Sequence, residues 1–406
     1  MSKKEVSILF VSIGGYGHYY LKTIFEEFPE GKARVCGVID PYAEKAPLFS
    51  EVQKREIPVF ANIEDFYNQG LSADLVVISS PIQYHVPQSF VALKNGSNVL
   101  CDKPICATIQ EVDELIKIRD DLGKWVMIGY QWSYSKAIQS LKKDINKGLF
   151  GKPIRLKTLC LWPRDDNYYQ RNNWAGKIKD SSGKWVLDSP VNNAVSHYLH
   201  NMFYVLGDEK NKSAIPKKVT AECYRANPIE NYDTAACRIL TTEGIEVLYF
   251  VSHATKDEMG PIFNFEFENA IITFGDPSNE IIACFKNGTE NNYGAPDDTP
   301  QFLKLFEAVD RVKNLNPIVC GLEAARSQTL AMNGVQESVG EVLDFPKSLI
   351  NRNEEEKKWW VTDLDKNLLE AYRKNLLLHE TGLSWAKSGK TIDLKNYSYF
   401  PGAEKQ

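Results

Sequence analysis

The first third of the chain alternates between short apolar runs and segments with helical spacing. Val6 to Ser12 has the composition of a buried strand, and His18 to Phe28 repeats apolar residues at helical spacing until Pro29 ends the pattern. Further strand-like runs read ARVCGVID, IPVF, ADLVVIS, NVLC and WVMIGY, with helical segments between them. Strands that alternate with helices predict a parallel, doubly wound α/β sheet.

The hydrophobic period changes to that of strands between Lys217 and about Phe285. The runs VTAECY, AACRILTT, IEVLYFVSH, FNFEFE and AIITFG are joined by tight turns, which is typical of an antiparallel sheet. Near the end, Trp359 and Trp360 indicate that the tail docks. We therefore predict an α/β domain over residues 1–130, a second α+β domain with an open, mainly antiparallel sheet over 131–345, and a C-terminal extension over 346–406.

Composition excludes several classes of partner. The 406 residues carry a net charge of -5 with interspersed signs, so no basic field favours nucleic acid or a membrane surface. No apolar stretch approaches the roughly 20 residues that span a bilayer, and the first residues lack a secretory signal. The eight cysteines include no C-x-x-C pair, which is typical of reduced thiols. We expect a cytoplasmic protein with neither disulfides nor a bound metal.

A glycine-rich loop follows the first strand and opens the first helix. It reads Ser12-x-Gly14-x-x-Gly17, with serine in the first slot of the G-x-G-x-x-G pattern and with Gly15 and Tyr16 completing the loop. Gly14 lets the backbone approach a pyrophosphate, Gly17 lets the helix pack closely, and the helix amino terminus supplies N–H groups. A plain turn is the alternative, but the strand, loop and helix together favour a Rossmann dinucleotide-binding domain.

Asp40 ends the second predicted strand, 23 residues beyond Gly17. A carboxylate there accepts hydrogen bonds from the adenosine ribose hydroxyls and repels a 2′-phosphate. Pro41 and Tyr42 offer no arginine that would neutralise it. The pattern favours NAD over NADP, the alternative being that Asp40 only caps the following turn.

Two further motifs follow later strands. Ser80-Pro81 with His85 follows the fourth strand, and Asp102-Lys103-Pro104 follows the fifth, after ALKNG. With the glycine loop, this set resembles the glucose-fructose oxidoreductase, inositol dehydrogenase and rhizopine-catabolism (Gfo/Idh/MocA) family over nearly all of residues 5–130, and more loosely to about residue 340. The family triplet is Glu-Lys-Pro, so Asp102 departs from it by one methylene. The resemblance implies an NAD(P)-dependent oxidoreductase whose coenzyme contacts Ser80, Pro81, His85, Asp102 and Lys103.

Lys103 is a candidate catalytic residue. It follows a parallel strand, at the edge of the sheet where ligands collect, and its ammonium can stabilise negative charge on a substrate oxygen. An ordinary surface lysine is the alternative. The resemblance implies contact with both the nicotinamide ribose and the substrate, and a cis peptide bond to Pro104.

The segment SPVNNAVSHYLH carries a second polar cluster. Ser189 and Pro190 predict a helix start, with Asn193, His197 and either His200 or Asn201 on one face. The family has an aspartate, a histidine four residues on and an acid three further, so the resemblance implies that His197 is the general base, with Asn193 and His200 replacing the acids. Imidazole suits this role because its pKa lies at about 6.5. A histidine satisfied in the core, or a metal-binding pair, is the alternative.

The stretch LWPRDDNYYQRNNW is rich in aromatic, arginine and asparagine residues. Aromatic faces beside polar donors suit a sugar, although an ordinary surface loop is as well supported. The predicted substrate-binding residues are Tyr130, Arg164, Tyr169, Arg171, Trp174, Asn193, His197 and His200.

These observations predict reversible oxidation of a secondary alcohol of a sugar or polyol, with NAD as the hydride acceptor. By resemblance, the open face of the second sheet forms a homodimer or homotetramer. Two alternatives stay open. Some relatives are glycosidases that oxidise the sugar only transiently and need the same lysine and histidine. Others bind nucleotide as sensors without turnover.

Overall fold

The computed structural model describes residues 5–402. The strands are β1 (Val6–Val11), β2 (Ala33–Ile39), β3 (Val59–Phe60), β4 (Leu75–Ile78), β5 (Asn98–Cys101), β6 (Val126–Ile128), β7 (Pro153–Leu161), β8 (Pro216–Arg225), β9 (Thr234–Thr241), β10 (Glu246–Ser252), β11 (Met259–Phe267), β12 (Ala270–Phe274), β13 (Ile282–Phe285), β14 (Glu290–Asn292), β15 (Leu343–Asp344), β16 (Ile350–Asn353), β17 (Lys358–Val361) and β18 (Ile392–Asp393).

The helices are α1 (Gly17–Glu26), α2 (Phe49–Lys54), α3 (Ile63–Asn68), α4 (Ile82–Lys94), α5 (Ile109–Asp121), α6 (Lys136–Asn146), α7 (Asp166–Gln170), α8 (Ser196–Val205), α9 (Leu303–Asn314), α10 (Leu322–Val339) and α11 (Leu364–Lys374). The chain forms two compact units. Among the described residues, the first contains 5–106, 110–134 and 299–325, and the second contains 107–109, 135–298 and 326–402.

The first unit is built on a six-stranded sheet in the order β3-β2-β1-β4-β5-β6, with every neighbouring pair parallel. Strands β1 and β4 are buried along their whole length, which explains their continuous apolar runs. Helix α9, although distant in sequence, packs against β1, β4 and β5. The strand order reverses at β1, and ligands of such sheets bind beyond the carboxyl ends of the strands at that reversal.

The second unit is built on a large sheet whose main path runs β14-β13-β12-β11-β7-β10-β9-β8-β15. Its pairs are antiparallel except β7 with β10 and β8 with β15. The predicted doubly wound first sheet and mainly antiparallel second sheet are therefore confirmed.

The C-terminal segment covers part of this second sheet. Helix α11 packs on β7 and β10, in a core that contains Leu159, Phe250, Leu364 and Leu368. Alternate residues of the same strands point to the opposite face, where Tyr249 donates a hydrogen bond to the carbonyl of Val195. The sheet area over β7 and β10, expected to be open for a second copy, is thus occupied by this chain's own extension.

Within residues 5–402, no helix is both long enough and apolar enough to cross a bilayer. In the same range, no group of three or more histidine, cysteine or acidic residues is arranged to hold a metal ion.

Candidate functional site

The glycine loop between β1 and α1 is shaped by two close backbone approaches. A side chain at Gly17 would overlap the carbonyl oxygen of Ser12, so only glycine lets α1 begin this close to the strand. The N–H of Gly17 donates to the carbonyl of Gly14 at 2.9 Å. Ser79, at the end of β4, donates through Oγ to the Ser12 carbonyl at 2.9 Å and fixes the loop against the neighbouring strand.

The outer side of the loop is open. A Cβ built at Gly14 or Gly15 would meet no atom within 4 Å, and Gly15 has a positive φ of 49°. Open space over the backbone, at the amino terminus of a ten-residue helix, is what a pyrophosphate requires. The loop therefore fits the coenzyme that its sequence predicted.

Asp40 lies at the carboxyl end of β2 and holds the loop. Its Oδ2 accepts the N–H of Ile13 at 3.0 Å, and its Oδ1 accepts the N–H of Tyr42 at 2.9 Å. The carboxylate therefore caps the following turn, as the alternative interpretation required. Because each carboxylate oxygen can accept two hydrogen bonds, this cap still leaves capacity for ribose hydroxyls.

His85 ties together the two motifs that follow β4 and β5. It is buried, and its Nδ1 and Nε2 lie 2.8 Å and 2.7 Å from the carbonyl oxygens of Pro104 and Ser80. Burial lowers the pKa of the imidazole, and a neutral ring donates to only one of these two carbonyls. Both ring nitrogens are occupied within the protein, so we expect His85 to hold the turns instead of contacting the coenzyme directly. Next to it, Ser80 Oγ donates to Gln88 at 2.6 Å, and Pro81 immediately precedes α4.

Asp102 belongs to a group of four side chains that we call the closed cluster, in which Tyr16 is partly buried and Tyr20, Asp102 and Lys304 are buried. Asp102 Oδ1 lies 3.2 Å from the Tyr20 hydroxyl and 3.4 Å from Lys304 Nζ. Lys304 Nζ also lies 3.2 Å from the Tyr16 hydroxyl and 3.1 Å from the carbonyl of Gly129. Lys304 is only 1% exposed, and burial lowers its pKa.

The closed cluster changes the interpretation of two predicted coenzyme ligands. The carboxylate of Asp102 and the hydroxyl of Tyr16 are both directed into the cluster, and burial and the Asp102 charge raise the pKa of Tyr16. Lys103 follows Asp102 directly, on a peptide bond to Pro104 that is cis, as the resemblance implied. Tyr130, predicted to bind substrate, is 1% exposed. Sequence reasoning missed Lys304, because nothing in the sequence indicates its contact with a residue 202 positions away.

In the second unit, the helix predicted to start at Ser189 begins later, so the prediction that Asn193 lies on it is wrong. Ser189 Oγ accepts the N–H of Asn192 at 3.2 Å, which is the bond of a helix cap. However, Asn193 lies in a turn, and the regular helix α8 begins only at Ser196. The reason is local, because Ser196 Oγ bonds to the carbonyl of Asn193 at 2.9 Å and competes with the helical pattern there. His197 lies on the first turn of α8.

A buried carboxylate that the sequence analysis did not single out stands behind Asn193. Asp188 Oδ1 accepts the side-chain amide of Asn193 at 2.7 Å, and its Oδ2 accepts the N–H of Gly176 at 2.6 Å. Asp188 is 3% exposed. Asn193 therefore donates its side-chain amide to Asp188, so a buried carboxylate lies next to position 193 although the residue there is neutral.

His200 is buried, although we predicted that it contacts the substrate. It is 1% exposed, and its ring stacks on Tyr204 with centroids 5.5 Å apart. Burial and the nearby charge of Lys142 lower the pKa of its imidazole to about 3. This environment supports the alternative of a core histidine over the predicted contact with substrate.

The predicted substrate loop, which we call the arginine loop (Trp162 to Trp174), contains the short helix α7. The guanidinium of Arg164 lies 4.7 Å from the ring centroid of Tyr168. The guanidinium of Arg171 lies 3.8 Å from the same ring and 5.3 Å from that of Trp174. Tyr169 packs edge-on against Tyr168 at 5.1 Å. The structure thus brings four predicted substrate residues together around Tyr168.

The hairpin of β16 and β17 holds this loop in place. Arg352 donates two hydrogen bonds to Asp166, at 2.9 Å and 2.8 Å, and this pairing lowers the pKa of the Asp166 carboxyl. The N–H of Asp166 also donates to the carbonyl of Lys357 at 2.9 Å. The extension, for which the sequence suggested no chemistry, therefore fixes the loop that we predicted to contact substrate.

Comparison with known proteins finds a family match for the first part of the chain. Residues 6–130 match the family model described as an oxidoreductase family with an NAD-binding Rossmann fold (GFO_IDH_MocA). The chain is 28% identical over 199 residues to 2,7-anhydro-N-acetylneuraminate hydratase from Mediterraneibacter gnavus, covering 49% of this chain and 48% of the relative. It is 26% identical over 155 residues to scyllo-inositol 2-dehydrogenase (NAD(+)) from Bacillus subtilis, covering 38% and 44%. The chain thus spans about half the length of these curated relatives.

The fold itself matches solved structures over a longer range. The WlbA dehydrogenase from Chromobacterium violaceum, in complex with NADH and UDP-GlcNAcA, superposes with a TM-score of 0.70 and 17% identity. The match covers 86% of this chain and 98% of that one. At this identity, the likeness establishes the shared fold.

Proposed function

We propose that the protein is an NAD-dependent dehydrogenase. The proposal starts from residues 6–130, which match the Gfo/Idh/MocA oxidoreductase family with its NAD-binding Rossmann fold. Its substrate is a secondary alcohol of a sugar or polyol. The observation that carries the proposal is the open glycine loop held by Asp40 at the strand-order reversal of the first sheet. A carboxylate at that position disfavours a 2′-phosphate, so NAD is proposed over NADP.

Bound NAD would supply a two-electron acceptor for the hydride of the carbinol carbon. The chain's own residues would hold its two ends. Backbone groups from Ser12 to Gly17, at the start of α1, would receive the pyrophosphate, and Asp40 would accept the adenosine ribose hydroxyls. The turns at Ser80 and Lys103, fixed to each other by His85, would border the nicotinamide side.

Three residues divide the chemistry in this proposal. The imidazole of His197 accepts the proton of the substrate hydroxyl. The ammonium of Lys103 donates a hydrogen bond to the same oxygen as the carbonyl forms. Asn193, whose amide is oriented by Asp188 at 2.7 Å, holds a substrate hydroxyl through its side-chain oxygen.

The relatives support a carbohydrate substrate. One relative is named for the oxidation of scyllo-inositol with NAD(+), and a structural neighbour holds NADH together with UDP-GlcNAcA. Both are cases of a polyol or sugar derivative in proteins that resemble this chain. The aromatic and arginine side chains around Tyr168 supply the apolar face and polar donors that such a ligand needs.

The test is NADH absorbance across a panel of neutral sugars, sugar acids, sugar phosphates and polyols. We expect at least one member to reduce NAD. Lys103→Met and His197→Asn should each lower its turnover by about 10²-fold or more, because each removes a group that acts in the transition state. Lys94→Met, an exposed lysine at the end of α4, is the control. Full turnover in either active-site variant would contradict the roles assigned here.

A second candidate is a reaction with no net oxidation. The relative from Mediterraneibacter gnavus is a hydratase of an anhydrosugar, and a second such hydratase from Escherichia coli is 24% identical over 150 residues. Product formation that needs NAD but leaves no NADH would favour this candidate over a simple dehydrogenase.

Assembly and location are part of the same proposal. Six of the eight cysteines are buried thiols, which suits a reducing, cytoplasmic compartment. We propose a homodimer or homotetramer that uses the part of the second sheet outside α11, where Ile271 on β12 is 46% exposed. Light scattering of the full chain would test this, and a monomer at micromolar concentration would contradict it.

A further inference from the structure

The arginine loop holds two guanidinium groups that have few ion-pair partners among residues 5–402. Within residues 5–402, Arg164 has no carboxylate oxygen within the 4.0 Å of an ion pair, and Arg171 reaches only Asp188, at that limiting distance. The two acids of the loop itself are engaged elsewhere. Asp165 caps the N–H of Tyr168 at 2.9 Å, and Asp166 is taken by the two bonds from Arg352.

Three buried polar atoms around Tyr168 also have no hydrogen-bond partner. They are Arg164 Nε, the Tyr169 hydroxyl and His253 Nε2. A buried polar group without a partner lowers the free energy of unfolding by about 1–3 kcal/mol. Three such groups in one place therefore call for an explanation, and a binding site is one. His253 is 2% exposed, and its ring lies 5.7 Å from that of Tyr168.

The protonation of His253 defines what these atoms can bind. Its Nδ1 lies 2.8 Å from the carbonyl of Trp162 and donates to it, so Nε2 of the neutral ring is an acceptor. Burial and the charges of Arg164 and Arg171 lower the pKa of His253 to about 3, so the ring is neutral. The cluster therefore combines a cationic donor, a hydroxyl that can donate or accept, and an imidazole acceptor that needs an O–H or N–H donor.

This group of atoms lies beside the proposed catalytic residues of the same unit. Arg171 and Asn193 share the carboxylate of Asp188, at 4.0 Å and 2.7 Å. On the other side, the ring of Trp162 packs edge-on against Tyr198, the neighbour of His197, with centroids 5.7 Å apart. A ligand held by Arg164 would thus be bound close to the residues that we propose to act on the alcohol.

We infer that the arginine loop is a subsite for an anionic group of the substrate, with Arg164 as its cationic donor and His253 Nε2 as the acceptor for an adjacent hydroxyl. The inference rests on the proposed function and narrows its substrate class to acidic sugars. A carboxylate on the sugar and a phosphoryl group are the two sources of such an anion. Both match the guanidinium group, which pairs with planar or tetrahedral oxyanions through two N–H donors.

The experiment compares D-glucose, D-glucuronate and D-glucose 6-phosphate as probes of one sugar skeleton. Each is titrated against the full-length protein by calorimetry, and each is assayed for NADH formation. We expect at least one of the two anionic probes to bind about tenfold or more tightly than D-glucose, which corresponds to about 1.4 kcal/mol. The anion that binds more tightly identifies the source.

Arg164→Gln should remove that preference, since it keeps a polar side chain but no charge. Arg225→Gln is the matched control, because Arg225 is an arginine of the same unit that already pairs with Asp344 at 2.7 Å. His253→Gln should weaken binding of the anionic probe, whereas His253→Asp would repel it.

Two outcomes separate this inference from the proposed function. If D-glucose and the anionic probes bind equally and Arg164→Gln changes nothing, the subsite is refuted while the dehydrogenase assignment stands. If the anionic probes bind through Arg164 but no substrate of the wider panel reduces NAD, the subsite stands and the dehydrogenase assignment fails. Tighter binding of an anion in both Arg164→Gln and wild type would place the anion elsewhere and overturn the inference.

Discussion

The closed cluster in the first unit and the arginine loop in the second both combine charged and aromatic side chains, but they differ in how their buried polar atoms are satisfied. Lys304 has a carboxylate, a carbonyl and a hydroxyl around its ammonium. Arg164 has aromatic rings around its guanidinium, and in the described part of the chain it has no carboxylate partner and its buried Nε has no hydrogen-bond partner. Satisfied polar clusters fix a structure, whereas unsatisfied ones offer binding capacity. The contrast separates Lys304, whose polar contacts fix the structure, from Arg164, which we propose to bind a ligand.

The largest effect should follow from breaking the closed cluster. Lys304→Met leaves the carboxylate of Asp102 buried without a cation, so the free energy of unfolding should fall by about 3–5 kcal/mol. Urea denaturation measures this. Lys32→Met, which breaks the more exposed pair with Asp310, should cost no more than about 1 kcal/mol. Adding Asp102→Asn to Lys304→Met should recover part of the loss, and equal losses for Lys304→Met and Lys32→Met would contradict the distinction.

The second largest effect should be a loss of stability at acidic pH. The folded-state pKa of His253, at about 3, lies below its ordinary value of about 6.5, so below pH 6.5 the unfolded chain binds a proton that the folded protein does not. The free energy of unfolding should therefore fall by about 2 kcal/mol between pH 6.5 and 5.0 from this residue alone. His253→Asn should flatten the slope, measured by urea denaturation at each pH.

Asp40 is an intermediate case, because its oxygens have partners but keep further capacity to accept. Asp40→Ser removes the negative charge that disfavours a 2′-phosphate, while its hydroxyl can still accept one hydrogen bond. We expect the ratio of kcat/KM for NADP over NAD to rise about tenfold, or about 1.4 kcal/mol. An unchanged ratio would show that Asp40 acts only as a turn cap.

The smallest effect on stability should come from Arg164, which, unlike Lys304, is surrounded mainly by aromatic rings. Arg164→Gln breaks no ion pair and loses only its contacts with Trp162 and Tyr168, so the free energy of unfolding should change by less than about 1 kcal/mol. Because the same variant should abolish anion preference, it separates binding from stability. A loss of stability as large as that of Lys304→Met would assign Arg164 to the structural class.

The parts of the molecule that the sequence predicted are those set by local pattern. The loop from Ser12 to Gly17 and its strand and helix were predictable, since a positive φ at Gly15 and a close backbone approach at Gly17 are local requirements. The start of α8 was predicted too early, because the bond from Ser196 to the carbonyl of Asn193 overrode the cap at Ser189.

The parts that were missed depend on long-range contacts. Asp188 was overlooked because the resemblance directed attention to position 193 and not to the carboxylate bound to it. Lys304 could not be assigned from its amphipathic helix, and Arg352 lies in a charged segment that gives no sign of its target, Asp166. Sequence pattern identifies which side chains carry chemistry, but not which of them the fold neutralises.

The two hydrogen bonds from Arg352 to Asp166 have a consequence for substrate specificity. The hairpin lies far along the chain from His197, yet it sets the position of the loop that we propose to select the substrate. Substitutions in the hairpin are therefore expected to alter which ligands the arginine loop accepts without touching His197. Loss of the chain from the hairpin onward would release this loop and also uncover the sheet face under α11, so one segment serves both the proposed subsite and the core.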